Sequence, residues 1–231
     1  LPNKLEVLLI SDKSADKAAA ALDVRVGSGA DPKGYEGLAH FLEHMLFLGT
    51  TTYPDGSEYQ KFIRQHGGSN NAWTATEHTC FYFDIHHQHF EEALDRFSQF
   101  FISPLLAEVF IAKERKIIEA EFKRTLKDDV RRLYDVHKET INQKHPFSQF
   151  SVGNIDTLND RNGQSISQEV KDFFNYYYQA SFMTLAIEGP QSLGELASLV
   201  KARFSQIKNS NLSLPEITEP LYLPEHQGDC H

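Results

Sequence analysis

The sequence predicts an α+β fold, and three observations predict it. Runs of apolar and β-branched residues near the start and across 70–85 read as strands. The stretch 90–138 carries apolar residues at helical spacing, and a strand-like run at 182–188 lies between two more helical segments. With 231 residues, 40% of them hydrophobic, the chain can bury a sizeable core as one large domain or two small ones.

Residues 5–10 and 20–26 are apolar strands separated by the turn formers Ser11-Asp12 and Ser14-Ala15-Asp16, which suggests an antiparallel pair. After a loop at 27–34, a helix is expected over 35–48, ended by Gly49, and a second over 56–65, ended by Gly67-Gly68. Residues 70–76 and 79–85 read as two further strands, the second carrying Phe81, Tyr82 and Phe83. A helix over 90–101 stops before Pro104, and 108–138, with no internal Gly or Pro, reads as one long amphipathic helix. His145-Pro146-Phe147 closes that section; 166–178 reads as a helix, 182–188 as a strand and 192–207 as a last helix. From Asn209 the composition shifts to Ser, Asn and Pro, with Pro215, Pro220 and Pro224. The expected organisation is a domain over 1–208 and a Pro-rich linker over 209–231 leading to further domains absent from this chain.

The formal net charge of -9 argues against nucleic acid as a partner, which needs a basic face. The densest basic stretch, 123–132, alternates with Asp128 and Asp129 and reads as a solvated helix face. No apolar run approaches the roughly 20 residues of a membrane span. Cys80 and Cys230 make neither a disulfide framework nor a Cys-rich metal site and read as structurally incidental. The start of the chain shows no targeting pattern, so any such segment lies outside this numbering.

The chemistry sits in His40-Phe41-Leu42-Glu43-His44. At about 100° per residue, taking His40 as zero, Glu43 falls near about -60° and His44 near about +40°, so both imidazoles reach one ion with the carboxylate beside it. Every other residue from Leu38 to Leu48 is apolar, so the helix is expected to be buried on most sides. In a chain with 11 histidines the bare string says little; its place on an apolar helix says more. Burying a carboxylate and two imidazoles without partners costs several kcal/mol, and a divalent cation satisfies all three at once.

Catalytic zinc usually has three protein ligands and an open position. On the long helix, Glu114 and Glu121 lie seven apart, within about 20° of each other, and interrupt an apolar stripe with Ile117 and Ile118. Glu119 points about 140° away and reads as a surface acid. Asp128 also falls close to the stripe, so phase leaves Glu114, Glu121 and Asp128 as third-ligand candidates.

The reversed order of the motif, glutamate before the second histidine, resembles the inverzincins. The segment Gly37-Leu38-Ala39-His40-Phe41-Leu42-Glu43-His44-Met45-Leu46-Phe47-Leu48-Gly49-Thr50 is similar to the active-site helix of the pitrilysin and insulin-degrading enzyme (insulysin) family. Ala20-Ala21-Leu22-Asp23-Val24, Gly68-Ser69-Asn70-Asn71-Ala72-Trp73-Thr74, Ala93-Leu94-Asp95-Arg96-Phe97, His145-Pro146-Phe147-Ser148 and Gly153-Asn154 have counterparts in the same order. The resemblance implies helices packed against a largely antiparallel sheet, one Zn2+ held by His40, His44 and Glu121, and Glu43 as general base toward zinc-bound water. It places Glu114 where it orients a ligand histidine, and Asn71, Ala72 and Trp73 on the strand to which an extended peptide adds. For Trp73, where relatives have a smaller aromatic or polar residue, core packing is an equal alternative.

The resemblance further implies peptides of modest length as substrates, about four homologous domains, and a C-terminal half of the same enzyme supplying the oxyanion donors and opposing wall. A bacterial, pitrilysin-like member is expected in the periplasm and others in the cytosol. The alternative is a non-catalytic relative kept as a structural or interaction subunit, which typically loses part of the zinc motif. His40, Glu43, His44 and Glu121 are all present here.

Overall fold

The structure is a computed structural model and describes residues 1–161 and 163–224. Its strands are β1 (Glu6–Ser11), β2 (Lys17–Val24), β3 (Ser69–Thr74), β4 (Thr79–His86) and β5 (Met183–Gly189). Its helices are α1 (Leu38–Leu46), α2 (Glu58–Gln65), α3 (Phe90–Ile102), α4 (Glu108–Thr125), α5 (Asp129–Thr140), α6 (Ile166–Tyr177) and α7 (Leu193–Phe204). The α+β class follows: one five-stranded sheet in the order β1-β5-β2-β4-β3, antiparallel except for the β1–β5 pair, with helices against it.

Two expectations are corrected. The opening strands do not pair with each other, because β5 inserts between them, parallel to β1 and antiparallel to β2. The long helix is two helices: α4 ends at Thr125, and α5 starts anew from Asp128, whose side chain accepts the Arg131 N–H at 2.9 Å as its N-cap. A side chain that offers the backbone a local acceptor competes with helix continuation, so no Gly or Pro is needed for the break. Asp128 is thereby removed from the α4 stripe and committed to capping.

Alternation along the strands sends Ala20, Leu22, Val24, Phe81, Phe83, Ile85, Leu185 and Ile187 to one face, where they are buried under helices. Phe47, Tyr59, Phe81, Phe83, Phe97, Phe100 and Phe101 form a connected aromatic cluster there. No described element covers the opposite face, which exposes Leu8, Ile10 and Trp73. Strand β3 is an outer strand of the sheet, with one edge unpaired.

Cys80 is buried and free, while Cys230 lies outside the described residues. The Pro-rich segment runs back over the body: Ser210 N–H donates to Gln179, and the Pro220 and Leu221 carbonyls accept from Asn142. Among the described residues no helix is long and apolar enough to cross a membrane.

Candidate metal centre

Helix α1 enters the core beneath an acid supplied from a distance. Asp31, itself buried, accepts the N–H of Gly37 at 2.6 Å and of Ala39 at 2.8 Å, satisfying free donors of the first turn. Gly37 caps the helix at φ 95, and a Cβ there would sit 2.2 Å from Gly153 Cα, so only glycine lets the 149–158 segment lie this close. That approach is what brings the Val152 carbonyl to His40.

His40 Nδ1–H donates to Val152 O at 2.7 Å, and His44 Nδ1–H donates to Glu114 Oε1 at 2.8 Å. Both rings therefore turn Nε2 inward, and the two Nε2 atoms stand 3.2 Å apart. A carbonyl only accepts, so in the neutral rings two nitrogen lone pairs face each other, an arrangement relieved by a proton on one ring or by a metal ion between them. Two ligands at the usual zinc–nitrogen distance of about 2.05 Å in tetrahedral geometry would be about 3.3 Å apart, close to what is found. Glu121 Oε2 completes the triangle, 3.9 Å from His40 Nε2 and 3.7 Å from His44 Nε2. Two nitrogens and one carboxylate oxygen within 4.8 Å of one another, with one side open, fit a catalytic zinc ion. The family-implied ligands thus converge, and Glu114 lies where it can orient His44.

Burial tends to lower the His44 pKa, but the Glu114 hydrogen bond and the charges of Glu43, Glu114 and Glu121 outweigh it and hold the group above the ordinary histidine value. Glu43, also buried, lies above a free carboxylate: burial raises its pKa, while the hydrogen bond from Thr74 and the two histidines work against the rise. Its Oε2 accepts the Thr74 hydroxyl at 2.5 Å, which ties the carboxylate to the edge strand.

Thr74 faces α1, so by alternation Trp73 leaves the sheet on the other side. Its indole is 48% exposed, lies 5.6 Å from the Tyr82 ring and donates to His78 Nε2 at 3.3 Å. Core packing is therefore not its role, and the strand 71–74 borders the metal cavity through its main chain and alternate side chains.

Besides Asp31, Val152 and Thr74, sequence reasoning missed further contributors on α4 and α5. Glu119 is no free surface acid: its Oε2 accepts the Ile155 N–H at 3.0 Å, while Arg115 donates to Ile155 O at 3.1 Å. One turn of α4 thus grips both sides of a single residue in the segment that carries Val152. Arg131 and Tyr134 of α5 line the metal cavity, about 430 Å3 in volume, together with His40, Glu43, His44 and Glu121. Their facing was hidden by running the α4 phase through the break at 126–128.

The chain is also similar to known proteins. Residues 6–151 match the family model described as Insulinase (Peptidase family M16), and residues 165–229 match one described as Peptidase M16 inactive domain. Human insulin-degrading enzyme is 45% identical over 229 residues, 98% of this chain and 22% of that protein. Protease 3 of Escherichia coli strain K12 is 39% identical over 228 residues, 99% of this chain and 24% of that protein. A Schizosaccharomyces pombe protein whose name contains the words zinc protease is 41% identical over 225 residues, 96% of this chain and 23% of its own length. The crystal structure of pitrilysin superimposes with a TM-score of 0.94 at 39% identity, covering 98% of this chain and 24% of that one. The chain therefore spans about a quarter or less of these relatives.

Proposed function

The chain belongs to the insulinase family of peptidases, and on that premise we propose that it is the zinc-bearing part of an endopeptidase cutting peptides of modest length. The observation that carries the reading is the meeting of His40 Nε2, His44 Nε2 and Glu121 Oε2 beside the buried Glu43 carboxylate. Zinc bound by these donors supplies Lewis acidity, polarising a peptide carbonyl and lowering the pKa of water toward about 7.

The chain's own residues do the rest. Val152 O and Glu114 fix the two imidazoles with Nε2 inward, which sets both tautomer and direction. Glu43 takes the proton of the attacking water and returns it to the leaving amine, and its burial-raised pKa suits a group that must both accept and release a proton. Thr74 holds that carboxylate from the strand beside which the peptide lies. The free edge of β3 at Asn71, Ala72 and Trp73 pairs with substrate main chain, giving affinity that tolerates many sequences.

In this reading residues 1–208 are the zinc domain, 209–231 are the linker toward further domains, and the C-terminal half of the same enzyme supplies oxyanion donors and the wall opposite β3. The short span of the chain against its relatives supports that larger assembly. A non-catalytic role as an interaction subunit is disfavoured by the intact set His40, Glu43, His44 and Glu121. The test is the Glu43→Gln variant of the complete polypeptide. It should keep zinc and lose peptide hydrolysis by several orders of magnitude, whereas near-normal turnover would place the base elsewhere.

A further inference from the structure

Arg131 stands in the wall of the metal cavity, yet the hydrolysis described above makes no use of it. We propose that its guanidinium is a carboxylate subsite, selecting peptides that carry an acidic group close to the bond being cut. The inference rests on the reading that an extended peptide occupies this cavity.

Charge is the first argument. Among the lining residues Arg131 is the lone cation outside the histidines; Ser28, Asn71, Thr74, Thr76 and Ser151 are neutral, and Glu43 and Glu121 face the metal position. A divalent ion would be balanced by those two carboxylates, leaving the guanidinium as the uncompensated charge in the cleft. The chain as a whole carries -9, so an acidic peptide finds little attraction elsewhere on this surface.

Availability is the second. Three aspartates share its helix, but Asp128 is committed to the Arg131 N–H and Asp129 lies 3.5 Å from Arg132. Among the described residues, no carboxylate, Asp135 included, comes within 4.0 Å of the Arg131 side-chain nitrogens. An arginine left unpaired beside three acids keeps its fork of donors for another acceptor.

Placement is the third. The guanidinium carbon lies 6.0 Å from the centre of the Tyr134 ring, one turn along the same helix face, and Tyr134 is packed edge-on against Phe147 at 5.3 Å. A planar cation above an aromatic ring keeps its N–H edge open, and that edge matches a carboxylate bidentately. The first turn of α5, which follows the Asp128 cap, lines the cleft.

Two sources could supply the carboxylate, an Asp or Glu side chain or the free C-terminus of a short peptide, and the test separates them. The complete enzyme, its Arg131→Gln and its Arg131→Glu variants would be assayed on a peptide set in which one Glu is exchanged for Gln or Lys at each of several positions around the cleaved bond. Each peptide would be made as free acid and as C-terminal amide. Binding of the same labelled peptides to the Glu43→Gln protein, with and without each Arg131 change, would be followed by fluorescence anisotropy.

The expected result is a preference of about fivefold for Glu over Gln at one position, or for free acid over amide, as befits an ion pair open to solvent. That preference should shrink with added salt, vanish in Arg131→Gln and turn toward Lys in Arg131→Glu. Absence of any acid preference in the unchanged enzyme, or the same profile in all three proteins, would overturn the proposal. Acid-selective binding without hydrolysis by the unchanged enzyme would support the subsite while sinking the peptidase reading.

Discussion

Removing Glu114 should weaken zinc binding without removing a zinc ligand. The carboxylate and His44 Nδ1 are 2.8 Å apart, with side chains 8% and 20% exposed, so the bond is charge-assisted and largely screened from water. Such bonds contribute about 1.5 to 3 kcal/mol. If most of that is realised only when His44 is neutral and directed at the ion, zinc affinity falls about tenfold to a hundredfold. Glu114→Gln retains an acceptor and should lie at the low end, and Glu114→Ala at the high end.

The sign of the pH dependence follows from the same contact. Glu114 helps to hold the His44 pKa above the ordinary value, so at low pH the unchanged protein must expel a more tightly held proton to bind metal. The variants expel it more easily. Their affinity deficit should therefore be larger at pH 8 than at pH 6. Competition against a chelating indicator at both pH values, with circular dichroism to confirm folding, measures this. Unchanged affinity in both variants, or a deficit that grows on acidification, would refute the reasoning.

The other predictions use the same site. Glu119→Ala should lower zinc affinity about tenfold by loosening the segment that offers Val152 O to His40, and Glu119→Gln should recover most of it; equal affinity in all three proteins would show the Ile155 grip to be irrelevant to the metal. Zinc affinity, measured by competition, should begin to fall on acidification already above the ordinary histidine pKa of about 6.5, because the metal-free folded site raises that of His44; an affinity that stays flat down to well below that value would contradict this. The isolated chain should cleave a quenched fluorogenic peptide at least about a thousandfold more slowly than the complete enzyme, since missing donors and lost positioning amount to about 4 to 8 kcal/mol. Comparable turnover would show that the site is not shared with another domain.

Much of the centre was legible because helical periodicity is local. Four residues of spacing bring His40 and His44 to one side of α1, and seven bring Glu114 and Glu121 to one side of α4; the structure joins those two sides. What escaped the sequence depended on partners far along the chain. The β1–β5 pairing joins residues about 180 apart, and nothing in 5–26 signals that a strand will be inserted. Asp31 caps α1 across six and eight residues, a distance that local capping patterns do not reach. Glu119 has the phase of a solvent-facing residue and is that far correctly read, but a loop from 36 residues downstream covers it. The break before α5 was present in the sequence as Asp128 followed three residues later by an N–H to cap, and a strong amphipathic pattern masked it.

The most direct test of the central claim is the zinc content of three purified proteins: the unchanged chain, His44→Ala and Glu121→Gln. Elemental analysis after dialysis at neutral pH should give one zinc per unchanged chain and a clear loss in both variants, with circular dichroism spectra unaltered. Full zinc retention in both variants would contradict the assignment of His40, His44 and Glu121 as the metal centre.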